Sequence, residues 1–353
     1  MAKIIIKDNH VQDAKTKGIS VIAAAAKDYE GEIADRIAKD PRLKDFDVFQ
    51  LAMMDAGISK SSQIKDFMTT SDNRWLFPVF IDRTLRENVN KSDIMQYVIS
   101  GSPVSVPSLS AQGAYIDLAS DEDNKDAVKK KRVAEGSALP LATIEIGETA
   151  ISLKKYGRAV EATYETLQYQ TVDVFSRVLS YIAADVANQE FKRAVTVLCS
   201  GDGNDNAASA NTTAGATVSA NDILTLAMDV FDDCNAPMDV IIAPRNMFMA
   251  LSQMAIAQNG GVGFVPGSLF KFSQGITGDI TVIYSNDIPQ AAGGKEQLIG
   301  LSSRFGLTKY VAEGSSITEY DSDILTQKRL GTISEITGFA KPFKGAAKLL
   351  KLA

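Results

Sequence analysis

The residues with most chemistry to offer are few: one histidine, His10, and two cysteines, Cys199 and Cys234. That set is too small for a Cys₂His₂ or Cys₄ zinc site. A Ser-His-Asp or Cys-His mechanism would have to use His10, which lies in the polar stretch Lys7-Asp8-Asn9-His10 and reads as a solvated surface residue. Cys199 closes an apolar helical run and Cys234 sits in Asp233-Cys234-Asn235. Both read as small hydrophobes or helix-end residues in a reducing compartment.

Other motifs fail on spacing. Asp202, Asn204 and Asn206 occupy the first three ligand positions of a calcium loop, but Ala207 stands where glycine is needed and Thr213 where a bidentate glutamate belongs. The stretch reads as a polar turn after a helix. Gly261-Val262-Gly263-Phe264-Val265-Pro266-Gly267 has its third glycine one residue late and a proline at the helix start, so it reads as a surface loop. Glu145 and Glu148 are three apart on a strand and point to opposite faces, which separates them as an acid–base pair. No catalytic, cofactor-binding or metal-ligating residue is assigned, and no cofactor is expected.

The whole chain sets the same limits. Its 353 residues are 45% hydrophobic and 23% charged, with 37 basic and 43 acidic residues for a net charge of −6. An acidic chain lacks the basic excess of a protein built to grip nucleic acid, although a shell that merely encloses DNA needs none. The longest apolar run, Val21–Ala26, falls far short of the ~18 residues of a membrane span. Ile4-Ile5-Ile6 is no secretory segment, so the expectation is a chain made and folded in a cytoplasm, with no membrane partner.

The first 70 residues read as helical: Lys15–Asp28, Glu30–Lys39, and Asp47–Gly57 with its glycine as C-cap. Thr69–Arg74 is a loop signal, and Trp75–Phe80 reads as a buried anchor or a short strand. Gly101–Ala119 is extended around Pro103 and Pro107. An acidic run (Asp121, Glu122, Asp123, Asp126) then meets a basic one (Lys129, Lys130, Lys131, Arg132). The basic run fits a solvated loop tip or a charge-complementary contact with a neighbouring subunit. From Ile144 to Val160 a period near two runs for about 17 residues, against five or six for an average strand. So long a strand in mid-chain suggests a projecting two-stranded arm lying on a partner surface.

The strongest helix follows. Val172, Phe175, Val178, Leu179, Ile182 and Val186 recur at three- and four-residue spacing, and Phe191, Ala194 and Leu198 carry the stripe onward. Thr171–Leu198 would run roughly 40 Å, a spine. Beyond it, helices Asn221–Phe231 and Arg245–Gln258 alternate with short strands at Met238–Ile242, Ile280–Tyr284, Leu298–Leu301 and Thr308–Val311, an α/β pattern. Ile317–Phe339 reads as strands again. Lys341, Lys344, Lys348 and Lys351 make a basic end, either a solvated tail or one weakly facing DNA.

In order and spacing these pieces resemble the major capsid proteins of tailed bacteriophages, the Hong Kong 97-like fold. Ala134-Glu135-Gly136, Leu139-Pro140 and the Thr143–Ala162 strand resemble the outer half of that family's E-loop. Glu165–Leu198 with Gly201-Asp202-Gly203 is similar to its spine helix and exit. Ala243-Pro244-Arg245 before Met247–Leu251 resembles its Asn-Pro-Arg-type turn, and the chain from Gly314 resembles its returning strands. The resemblance implies an α+β capsid fold with N-terminal arm, E-loop hairpin, peripheral domain and α/β axial domain. Its divisions would be a helical extension 1–70, N-arm and start of the peripheral domain 71–110, E-loop 111–162, spine helix 163–205, axial domain 206–313, and returning strands with a basic tail 314–353.

The function implied is a non-enzymatic coat protein that assembles as pentamers and hexamers into an icosahedral head around double-stranded DNA. Contact with that DNA would not be sequence-specific. A separate scaffold protein and a portal would be partners, and the resemblance leaves room for a decoration protein. The location implied is the virion capsid, assembled in the bacterial host cytoplasm. E-loop contacts between subunits would fall to Asp121, Glu122, Asp123, Lys129, Lys130, Lys131, Arg132 and Glu135. The crosslinking lysine, asparagine and glutamate of some members have no matched positions here, so the crosslink is not carried over. The alternatives are an encapsulin-type nanocompartment shell of the same fold and, more distantly, an α/β enzyme with a binding loop at 260–267.

Overall fold

The computed structural model describes residues 3–17, 20–68, 75–90, 93–115, 145–258, 277–313, 317–323 and 328–353. The chain divides into two compact units. The first takes Met1–Ser92, Lys154–Asn188 and Val311–Thr337, and the second Asp93–Leu153, Gln189–Tyr310 and Gly338–Ala353.

The first unit begins with helices Asp8–Lys17, Val21–Asp28, Glu30–Lys39 and Val48–Asp55. Ser20 caps the second through its hydroxyl, which accepts from the Ala23 N–H at 3.1 Å. The predicted helix Lys15–Asp28 is therefore two helices, because Ser20 starts a new one. Asp47 and Gln50 form a reciprocal capping box on the fourth helix, and Gly57 follows it at φ +71°. Trp75–Phe80 is a buried anchor rather than a strand: Leu76, Phe77, Val79 and Phe80 are buried at the start of helix Leu76–Asn90, and Pro78 is tolerated in its first turn, where no backbone donor is needed. Phe77 and Phe80 from this helix, Phe67 and Phe175 stack with centroids 5.5 to 6.1 Å apart around fully buried Leu51, Ile64 and Leu179.

Three antiparallel strands complete this unit. Lys328–Ala340 lies between Ile317–Asp323 and Lys154–Thr163, with Thr332 opposite both Glu319 and Ala159. The long strand expected from Ile144 to Val160 is broken. Glu145–Ile146 and Ile151–Ser152 are short strands, Gly147–Thr149 turns away between them, and the next strand begins at Lys154. The turn occurs because the Thr149 N–H is taken by a side chain, that of Asn204, rather than by a neighbouring strand.

His10 is a correction to the sequence reading. It is 2% exposed, its Nε2 lies 2.9 Å from the Asp28 carboxylate, its Nδ1 accepts from the Lys7 N–H at 3.2 Å, and its ring meets Tyr29 edge-on. The polar sequence around it hid a fold-back in which the helix Asp8–Lys17 packs on its neighbour. Ile4 and Ile6, also buried, line the same side of that segment.

The second unit is built on a five-stranded sheet in the order Ala210–Thr212, Ala347–Lys351, Gln297–Leu301, Met238–Ala243, Thr277–Tyr284. The outer pairs are parallel and the two inner pairs antiparallel. Every residue of Gln297–Leu301 is buried, as expected of a strand covered on both faces. Helix Ala220–Cys234 supplies Ile223, Leu226 and Val230 to one apolar cluster, together with Met247 and Leu251 of helix Arg245–Gln258. Phe191, Ala194, Val195 and Leu198 from the last turns of helix Val172–Ser200 pack into the other with Val240, Ile242 and Ile299. That long helix, expected at 171–198, begins and ends within two residues of the sequence reading.

The basic end is a correction as well. Ala347–Lys351 is an interior strand, Lys348 pairs with Asp233 at 2.8 Å, and Lys341 is 1% exposed. The segment is therefore not a solvated tail, although Lys344, which pairs with Asp205 at 3.3 Å, and Lys351 are only half-buried.

Candidate functional site

The long helix ends at Ser200, and its exit is a densely hydrogen-bonded polar turn. Gly201 (φ +76°), Gly203 (φ +100°) and Asp205 (φ +51°) turn the chain through left-handed conformations that two glycines make accessible. The predicted calcium-loop residues are here used internally. The Asp202 carboxylate accepts from the Tyr115 hydroxyl at 2.9 Å and the Lys341 N–H at 2.8 Å. Asn206 accepts from the Asp202 N–H and donates to the Lys341 carbonyl at 2.7 Å. With these oxygens engaged by donors, the turn is a structural joint, and among the described residues no cluster of His, Cys, Asp or Glu is placed to hold a metal.

Asn204 does something more specific. Its Oδ1 accepts from the Thr149 N–H at 2.8 Å while its Nδ2 faces the Thr149 carbonyl at 3.1 Å. The side-chain amide thus pairs with the backbone of Thr149 as a strand residue would. The same Nδ2 also lies 2.9 Å from the Tyr115 hydroxyl and 3.0 Å from Asp202 Oδ1, so its two protons are shared among three acceptors. Tyr115 is held between two glycines: a Cβ on Gly113 would fall 2.6 Å from its hydroxyl, and one on Gly147 2.3 Å from its ring. Burial and the neighbouring Asp202 charge push the Tyr115 phenol well above its ordinary value, keeping it a donor.

Lys341 lies beside this turn. Its Nζ donates to the Leu198 carbonyl at 3.3 Å, one of the acceptors a helix end leaves open. Burial lowers its pKa to about 8, against the opposing influence of Cys199 and Asp202. Cys199 is buried, with its thiol pushed up to about 12 by desolvation, and Cys234 is buried with its thiol raised for the same reason. Neither thiol is a nucleophile in this state.

Apolar surface is a second feature. On the first unit, Val174, Val178 and Tyr181 (79% exposed) share one face of the long helix at i, i+4 and i+7, with Tyr169 (71% exposed) just before it. Val178 belongs to the periodic stripe that the sequence placed in the core; it projects outward instead, while Phe175, Leu179 and Ala183 face inward. On the second unit, Leu109 and Ile146 are both more than half exposed, as is Met249. The residues expected to make subunit contacts, Asp121, Glu122, Asp123, Lys129, Lys130, Lys131, Arg132 and Glu135, lie outside the described residues, as does the 260–267 loop.

Tyr115, Lys341 and the outward Val174–Tyr181 face are not read from the sequence. The available signals were the glycine pair Gly113/Gly147 around Tyr115 and the apolar Val174 and Tyr181, which stand off the periodic stripe of the long helix.

An architecture of long helix, broken hairpin and α/β sheet, with apolar surface and no catalytic cluster among the described residues, invites comparison with shell proteins. The sequence profile of the phage capsid protein family matches residues 146–332, more than half of the chain. The chain belongs to the phage capsid protein family. Among solved structures it is similar to the capsid of a native GTA particle computed with C5 symmetry, at 17% identity and TM-score 0.50 over 73% of this chain and 89% of that one. It is similar also to a phage-related protein from Bordetella bronchiseptica RB50, at 10% identity and TM-score 0.51 over 76% and 95%. A third likeness is to the holo-SrpI encapsulin complex from Synechococcus elongatus, at 13% identity and TM-score 0.48 over 74% and 88%. No curated protein matches the chain.

The capsid fold of these structures, Hong Kong 97-like in plan, is the fold of this chain. As a phage capsid protein it is a structural component of the virion shell, and the family match favours that role over the encapsulin and enzyme readings. No described helix is long and apolar enough to cross a membrane.

Proposed function

We propose that this capsid protein builds an icosahedral phage head from pentamers and hexamers of itself, enclosing double-stranded DNA. The observation that carries the reading is the family match over residues 146–332, joined to the outward apolar face Val174–Tyr181 on a chain whose core is already filled. A shell multiplies many modest contacts, so no single apolar face needs to be large. The net charge of −6 fits a wall that encloses DNA without reading its sequence.

The divisions into N-terminal extension, E-loop, spine, axial domain and returning strands keep the boundaries given above. The helical extension is tied into the first unit: the Ile64 N–H donates to the Gln170 carbonyl at 3.1 Å, and Phe67 packs on Phe77. An extension packed in this way fits a separate scaffold protein, and the same reading includes a portal, room for a decoration protein and assembly in the host cytoplasm. The charged runs Asp121–Asp123 and Lys129–Arg132, with Glu135, set register between neighbouring copies. Reversing the charge of Lys129–Arg132 impairs assembly more than folding, and normal particles from that variant would remove this role.

The test is mass photometry of the purified protein followed by negative-stain electron microscopy of large species. Rings of five or six, or closed shells containing DNA, support the proposal. Empty shells carrying an enzyme cargo favour the encapsulin reading, and a monodisperse monomer or dimer with scaffold present overturns both.

A further inference from the structure

Strands Ala114–Tyr115 and Glu145–Ile146 pair through only two residue positions, Ala114 with Ile146 and Tyr115 with Glu145. Between them the chain leaves at residue 116 and returns at residue 144. A two-residue ladder cannot hold itself together in water. Its Ile146 is 69% exposed, and apolar burial begins only at the adjoining Ala111–Ile151 pair. What holds it is polar and converges on one turn. Tyr115 donates to Asp202, Asn204 pairs with both backbone groups of Thr149, and the Thr149 hydroxyl donates to the Gly203 carbonyl at 3.1 Å.

We propose that Tyr115, Asn204 and Asp202 form a latch that fixes the root of the 116–144 segment to the exit of the long helix, and that this root can be released while the five-stranded sheet stays intact. The separation of the two is physical. The sheet is covered by apolar clusters on both faces, with Leu298, Ile299 and Leu301 fully buried, whereas the root beyond the buried Ala111–Ile151 pair depends on a handful of hydrogen bonds. A unit with few apolar contacts and bonds near solvent opens at lower free energy than the fold around it. The glycines complete the device: Gly113 and Gly147 let the Tyr115 ring lie flat against the root, and any side chain at either position would displace it. Tyr115 and Asn204 are thus positioning residues.

The test is hydrogen exchange on the full, unassembled chain, comparing the wild type with Tyr115→Phe and Asn204→Ala. The reporters are the amides of Gly147, which donates to Gly113 at 3.0 Å, and Thr149; those of Ile299 and Leu301 are the controls. The expected result is about tenfold faster exchange at the reporters, the size of one lost hydrogen bond, with the controls unchanged. Exchange at Gly147 and Thr149 equal to wild type in both variants overturns the proposal. So does an acceleration that reaches Ile299 and Leu301 equally, since the root would then open only with the sheet. Should Asn204→Ala fail to fold, Tyr115→Phe, which removes one hydroxyl, decides alone. The measurement reads the dispersed chain, so it stands apart from whether shells form.

Discussion

The Lys341 ammonium reaches across 143 residues of sequence to donate to the Leu198 carbonyl, capping the last turn of the long helix from a buried position. A cation at a helix C-terminus is favourable, but removing it from water is not. Burial wins here, since the pKa falls to about 8 from 10.5.

That shift fixes the sign of a pH effect. Between pH 8 and 10.5 the unfolded chain holds a proton on Lys341 that the folded chain has released, so this group makes stability rise with pH across that window. The slope approaches about 1.4 kcal/mol per pH unit. Cys199 opposes it above pH 9, because the folded state keeps a thiol proton that the unfolded state loses. The Lys341 contribution is therefore read as a difference. Urea unfolding of wild type and Lys341→Met at pH 7.5, 8.5 and 9.5 should show the wild type gaining on the variant as pH rises. Parallel pH profiles would mean that Lys341 is charged and solvated.

A second pH effect lies at the acid end. Burial alone would push the Asp55 carboxyl up, but the forked Arg36 guanidinium at 2.7 and 3.0 Å and the Ile4 N–H outweigh it and hold the pKa below its ordinary 3.8. Stability from this pair is present above that value and is lost as pH falls through the lower folded one. Asp55→Ala leaves Arg36, itself 7% exposed, without its carboxylate and should cost about 3 kcal/mol at pH 7. Acid titration followed by circular dichroism should show the variant with a flatter loss of stability below pH 4.

These two pairs show what a sequence makes legible. The long helix was readable because apolar residues recur near helical spacing along it, Val178 alone turning outward, and three of the five strands of the second unit's sheet because each is a brief apolar run between turn residues; Ala210–Thr212 and Ala347–Lys351 were not read as strands. Arg36–Asp55, Tyr115–Asp202 and Lys341–Leu198 were not, because each joins residues far apart in the chain through polar groups that carry no periodicity. The Ile144–Val160 strand misled for a related reason. Alternation at period two says which residues can face the same way, and it is silent on where a distant side chain such as Asn204 intercepts the ladder.

Two glycines separate soft obstacles from hard ones. A Cβ at Gly300 would meet the Met238 sulfur at 2.6 Å and the Leu226 side chain, both able to shift; at Gly306 it would meet the Val98 carbonyl oxygen at 2.2 Å. That carbonyl is fixed, since it accepts from the Leu307 N–H at 2.9 Å. Gly300→Ala should cost about 1 kcal/mol by overpacking and Gly306→Ala about 3 kcal/mol. Chemical denaturation of the two variants decides the order, and equal costs would mean the backbone near Val98 yields as readily as a methionine.

The outward face of the long helix gives the prediction that bears most directly on assembly. Val178 and Tyr181 are exposed, so replacing both by serine removes no core packing and should change the stability of the isolated chain by no more than about 0.5 kcal/mol each. If neighbouring copies cover this face, the same double variant loses apolar burial at every repeated contact of the shell. Small losses then multiply, and the yield of particles should fall steeply at concentrations where the wild type assembles. Phe175→Ala is the opposing control, because Phe175 is packed against Phe77 at 5.8 Å within the core and its loss should unfold the chain before assembly is tested. Melting temperature and particle yield by light scattering, measured on both variants, separate the two effects. A Val178/Tyr181 serine variant that assembles like wild type would show that this face stays open to solvent in the finished shell.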